Sequence, residues 1–186
     1  MIFSRRVSAN SADILNLTKV FRKLWEQHIM WTRSFIISTA ANLNDLQPVT
    51  QRLLRNPGDF AKEFQKYYGA ANAERFAQLL TEHLTIAAQL VNQAKAGDTA
   101  AVTVTRREWF RNADEIAKFL ASINRNWDQG KWQSMLYSHL DMTEDEAVLR
   151  LSGQYAADVA IYDKIEAQAL EMADYMATGT SRYISP

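Results

Sequence analysis

Turn-forming residues are scarce in this chain: its 186 residues include six glycines and three prolines. A sandwich, a barrel or a doubly wound sheet needs a reversal roughly every ten residues and draws on those two residue types to make it. The scarcity therefore disfavours all three. Apolar residues make up 47% of the chain, and over most of its length they recur with the 3.6-residue period of a helix rather than the alternation of a strand. The pattern predicts an all-α fold: a helical bundle of four to five main helices with short loops and a long C-terminal helix. One domain covers residues 1–186, with residues 1–15 as a loosely ordered N-terminal arm.

Charge and cysteine content narrow the chemistry. The 21 Lys+Arg balance the 21 Asp+Glu, so no basic field draws the chain to nucleic acid or to an anionic membrane. No cysteine is present, which removes disulfides, thiolate zinc sites, iron–sulfur clusters and cysteine nucleophiles together. The first residues have no apolar core followed by a small-residue cleavage site, and runs such as Phe35-Ile36-Ile37 fall far short of the roughly 20 residues of a bilayer span. The expectation is a soluble, cytoplasmic protein.

The helices can be bounded from their stops. The first is predicted from Asn16, or a turn earlier at Ser11, to about Leu43. The second runs from Pro48 to about Tyr68, broken by a turn at Asn56-Pro57-Gly58-Asp59 and closed by Gly69. The third covers Ala71 to Ala96 and the fourth Thr99 to Asn124. The β-branched run Val102-Thr103-Val104-Thr105 opens the fourth with weak helix formers. A short helix follows from Lys131 to about Asp141. Thr143-Glu144-Asp145-Glu146 reads as a capping box and predicts the start of the longest helix, ending near Thr178. No solenoid period stands out.

The three histidines are the notable polar residues. On helical wheels His28 sits among Phe21, Leu24 and Phe35, His83 among Leu79, Ile86 and Leu90, and His139 beside Trp132, Met135 and Leu136. In the last helix the face through Val148, Leu151, Tyr155, Val159, Tyr162, Ala169 and Ala173 centres on Glu166, with Asp158 and Asp163 on its shoulders. Imidazoles and carboxylates facing into a bundle are the usual material of a core metal centre. The predicted ligands are His28, His83, His139 and Glu166, for zinc, iron, manganese or nickel. A reversal at Thr143 would place His139 and Glu166 about 28 Å apart along the last helix, so His28 and His83 are the firmest pair. The plain alternative is a structural or partner-binding bundle, a homodimer, whose histidines are core groups bonded to hydroxyls or carbonyls. A third reading is a small-molecule pocket lined by Trp25, Trp31, Tyr155 and Tyr162.

The runs LWEQHIMWTR (24–33), RLLRNPGDF (52–60), TEHLTIAAQLVNQAKAGD (81–98), NADEIAKFLASIN (112–124) and YDKIEAQALEMADYM (162–176) together resemble a small, uncharacterised bacterial protein family. Its members are about this size and often carry the label acetylglutamate kinase. The resemblance covers roughly residues 17–178 and implies a helical bundle of bacterial origin. Its motifs specify no activity. The residues themselves argue against a kinase and against a nucleotide cofactor. Amino-acid kinases are larger α/β proteins with glycine-rich phosphate loops, and none of the glycines here forms such a loop after a strand.

Overall fold

A computed structural model describes residues 11–185. They form six helices, α1 (Ser11–Ala41), α2 (Leu46–Leu54), α3 (Asn56–Ala96), α4 (Thr99–Ile123), α5 (Gln129–Leu151) and α6 (Tyr155–Ile184), and no strand. The all-α bundle with a long C-terminal helix is therefore the fold. Residues 11–15, expected as part of an N-terminal arm, belong to α1; the rest of that arm lies outside the described residues. No helix among the described residues is long and apolar enough to cross a membrane.

The helix ends follow from local chemistry. Asp98 accepts a hydrogen bond from the Ala101 amide at the start of α4, and Asp128 does the same for Lys131 at the start of α5. Each satisfies a donor that the first helical turn leaves unpaired. The β-branched run 102–105 is helical in α4. The tetrad at 56–59 is not a turn: the break falls at Arg55, and Pro57 sits in the first turn of α3, where its missing N–H costs nothing. Gly69 ends a helical stretch as expected: at φ 79° and ψ 166° it divides α3 into two helices, in a conformation open essentially to glycine alone.

The largest departure concerns the end of the chain. The expected start at Thr143 is the middle of α5, which continues to Leu151. The Thr143 hydroxyl donates back to the His139 carbonyl, one turn earlier, instead of capping an amide. Glu146, the supposed partner in the capping box, is turned to Arg33. The chain reverses at Ser152-Gly153-Gln154, where Gly153 has φ 76°.

Pairing of neighbours divides the bundle into three hairpins. The first joins α1 to α2 and to α3 before Gly69. The second joins the remainder of α3 to α4, and the third joins α5 to α6. The leading helices α1, α3 and α5 all contact one another at the centre, and α6 closes the circle against α1. Above the centre the core is aromatic. Phe64 stacks on Phe76 at 4.3 Å and meets Phe21 edge-on at 6.2 Å. At that same end Asn124 donates to the Tyr68 hydroxyl, which also pairs with Thr180, both at 2.9 Å.

Candidate metal centre

His28 on α1, His83 on α3 and His139 on α5 converge at the centre of the bundle, and one nitrogen from each lies within 4.8 Å of the others. All three residues are buried. Ring centroids are 6.1 Å apart for His28 and His83 and 5.7 Å apart for His28 and His139. The three helices run the same way at this level, because each opens its own hairpin. His139 belongs to the group after all: the spacing that separated it from the last helix assumed a reversal at Thr143. With the reversal at residues 152–154, His139 lies opposite residue 168.

Two of the rings are held by a side-chain amide from the returning helix of their own hairpin, and the third has the equivalent amide beside it. His28 Nδ1 faces Asn56 Oδ1 at 3.2 Å, and Asn56 Nδ2 donates to the Leu24 carbonyl at 3.0 Å. His83 Nδ1 faces Asn112 Oδ1 at 3.0 Å, and Asn112 Nδ2 donates to the Leu79 carbonyl at 3.1 Å. Because each amide nitrogen is committed to a carbonyl, its oxygen must be the acceptor at the ring. Nδ1 therefore carries the proton, and Nε2 is left with its lone pair. Gln168 Nε2 likewise donates to the Met135 carbonyl at 2.8 Å. Its oxygen and His139 Nδ1 stand at the equivalent acceptor and donor positions, both buried, and neither makes a hydrogen bond. In all three hairpins the carbonyl belongs to the residue four before the histidine.

These equivalences run through the sequence. His83 follows His28 by 55 residues and His139 follows His83 by 56, while Asn112 follows Asn56 by 56 and Gln168 follows Asn112 by 56. The returning helices align as NPGDFAKEF (56–64), NADEIAKFL (112–120) and QALEMADYM (168–176). The hydrogen-bonded set Tyr68, Asn124 and Thr180 occupies one further equivalent position. The chain is thus a three-fold internal repeat closed into a ring. The three amides were missed from the sequence, and the 56-residue spacing was the signal that could have found them.

Burial sets the protonation of the rings. Desolvation pushes His28 down to about 4, with Asn56 opposing it. Desolvation and the neighbouring His28 take His83 to about 3. His139 lies well below the ordinary range, through burial first and then the two other rings. All three are neutral at pH 7, the form in which imidazole binds a metal.

Glu166 does not join them. It is exposed, beside a surface hollow that also involves Glu26 and Tyr162. The helical wheel that centred it ran through residues 152–154 as if one helix continued, so the phase of α6 was wrong. Val148, Tyr155 and Val159 of that supposed buried face are exposed, and the face α6 buries carries Ile165, Ala169, Met172 and Met176. Asp163 is exposed. Asp158 is fully buried, but in a separate ionic cluster with Arg33 and Arg150.

Trp25, Trp31, Tyr155 and Tyr162 form no common pocket. Trp25 packs edge-on against His28, and Tyr155 is an exposed residue under Arg150. An apolar cavity lies elsewhere, one turn beyond the histidines. It measures about 70 Å³, and its wall includes Thr32, Ala87 and Thr143, each one turn after its histidine. Phe35, Leu90 and Trp109 also belong to the wall. The Trp109 ring lies 5.4 Å from that of His83. No protein-family model, curated protein or solved structure matches the chain.

Proposed function

We propose that the protein is a metal-binding bundle in which His28, His83 and His139 ligate one divalent transition ion through Nε2. The observation that carries this reading is the repeated amide clamp. A core histidine needs one partner; two hairpins supply it at Nδ1 from the outside and the third sets Gln168 at the equivalent position, while no described side chain bonds the second nitrogen of any ring. Three nitrogens on one tetrahedral ion stand about 3.4 Å apart, so the rings draw in by roughly an ångström on binding. Three neutral nitrogens suit zinc, nickel or iron(II) better than manganese, which favours oxygen donors. A three-histidine ion with an open fourth position acidifies bound water or polarises an oxygen ligand. That chemistry makes a metal-dependent enzyme the leading reading.

Protein purified without metal-affinity resin and exposed to zinc should hold about one equivalent by elemental analysis. The double variant His28→Ala, His83→Ala should hold none. Protein that refuses zinc, iron, nickel and manganese alike sinks the proposal and leaves a structural bundle, whose oligomeric state then becomes the question. The amides make a finer prediction. Asn112→Leu keeps the shape of the core but releases His83 from its tautomer, and should weaken zinc binding by about 10- to 100-fold. Competition against a chromophoric chelator measures it; a change under threefold would remove Asn112 from the site.

A further inference from the structure

The cavity beyond the histidines has an unusual distribution of polar groups. Thr32 and Thr143 donate their hydroxyl hydrogens to the His28 and His139 carbonyls, each at 2.8 Å. Glu144, at the wall, is paired with Arg106. The rest of the wall is aliphatic or aromatic, and one of its residues, Trp109, has a buried indole Nε1 without a hydrogen-bond partner, as do Trp25, Trp31 and Trp132 outside the cavity. An orphaned indole N–H in an apolar wall is a costly group to leave unpaired, and it marks where an acceptor belongs.

Charge points the same way. An ion held by three neutral imidazoles keeps its full double charge, in a place with no anion to match it. Glu146, a buried carboxylate two turns further along α5, is committed to Arg33. A ligand completing such a site gains most by being anionic at the end that meets the ion. The remainder must be small and apolar, since about 70 Å³ admits on the order of five water-sized groups.

We propose that this cavity binds a short branched aliphatic monocarboxylate, its alkyl body against Phe35, Leu90 and Val91 and its carboxylate between Trp109 and the histidine-held ion. The proposal rests on the metal reading, and zinc content separates the two. Isovalerate is the probe, titrated into zinc-loaded protein by calorimetry and by tryptophan fluorescence, with acetate and isovaleramide as comparisons. Isovalerate should bind at least tenfold more tightly than either. Trp109→Phe should cost about tenfold in isovalerate affinity while leaving zinc content unchanged. Ala87→Phe, which fills the cavity, should abolish isovalerate binding and leave acetate.

Zinc-loaded protein that binds isovalerate no better than acetate overturns the cavity proposal and spares the metal site. Equal binding of isovaleramide overturns the anionic end. Protein that takes up no zinc overturns both readings. If Ala87→Phe does not fold, the acetate comparison and Trp109→Phe decide the matter alone.

Discussion

Arg33→Ala should destabilise the protein by about 3–5 kcal/mol at pH 8, the cost of stranding buried carboxylates. The Arg33 guanidinium reaches Glu146 on α5 at 2.5 Å and Asp158 on α6 at 2.7 Å, and those side chains are only 2% and 0% exposed. It also lies over the Tyr162 ring at 4.7 Å. Asp158 keeps a second, longer contact from Arg150 at 3.3 Å, whereas Glu146 keeps none of comparable quality. Glu146 has a partial escape: desolvation raises its pKa to about 7 even with Arg33 present, so on losing the arginine it takes up a proton. The penalty should therefore shrink as pH falls from 8 towards 6. Removing both ends, in Arg33→Met with Glu146→Leu, should cost less than removing the arginine alone, because one fewer charge is stranded. Urea unfolding at the two pH values measures all of this. A loss below 1 kcal/mol for Arg33→Ala at pH 8 would place the cluster in solvent.

Acid should unfold the metal-free protein steeply, with most of its stability gone by about pH 4.5. An imidazole in the unfolded chain takes up its proton near 6.5, but folded His28 and His83 resist until about 4 and 3, and His139 is likewise depressed. Between those limits the unfolded state binds more protons, so stability is complete above about pH 6.5 and falls as pH drops. Glu146 acts in the opposite sense. Its folded value of about 7 against an ordinary 4.5 means that the folded protein holds the extra proton over much of the same range. Three protons against one leave a net uptake of two on unfolding. At roughly 1.4 kcal/mol per proton per pH unit, the slope is about 3 kcal/mol per unit. Over two pH units that matches the whole stability of an ordinary domain, about 5–15 kcal/mol. Urea midpoints at pH 7.5, 6.5 and 5.5 test the slope, and His83→Leu should flatten it by half. A midpoint independent of pH across that range would show that the rings titrate normally.

Much of this could be read in the chain, and the failures have physical causes. Scarce glycine and proline with a sustained helical period fixed the class, because burying one face of a helix imposes that period whatever the details. The same logic put His28, His83 and His139 on inward faces. The wheel failed where a boundary was misplaced. Thr143-Glu144-Asp145-Glu146 carries a stronger local signal than Ser152-Gly153-Gln154, and only tertiary structure turns Glu146 to Arg33 and makes Thr143 a mid-helix residue. That single misplaced boundary set His139 and Glu166 too far apart to share an ion and put Glu166 on the buried face. The repeat escaped notice because it is kept in roles more than in letters. Phe60, Ile116 and Met172 are equivalent, as are Phe64, Leu120 and Met176; a packed core requires volume at such positions rather than identity. The amides Asn56, Asn112 and Gln168 sit on returning helices, where a lone polar residue reads as solvated until its histidine is seen opposite.

The ring of three hairpins also dictates the order in which things can happen. Each hairpin carries one imidazole, so no hairpin by itself offers an ion two ligands. A nascent chain that has folded its first two hairpins offers two nitrogens on an open surface, and a chain missing its third offers no more. Chelation is thus deferred until the circle closes between α6 and α1. An ion bound as proposed would leave most readily when the ring opens. Metal occupancy in this protein would report completed assembly, and its exchange rate would time the opening of the ring.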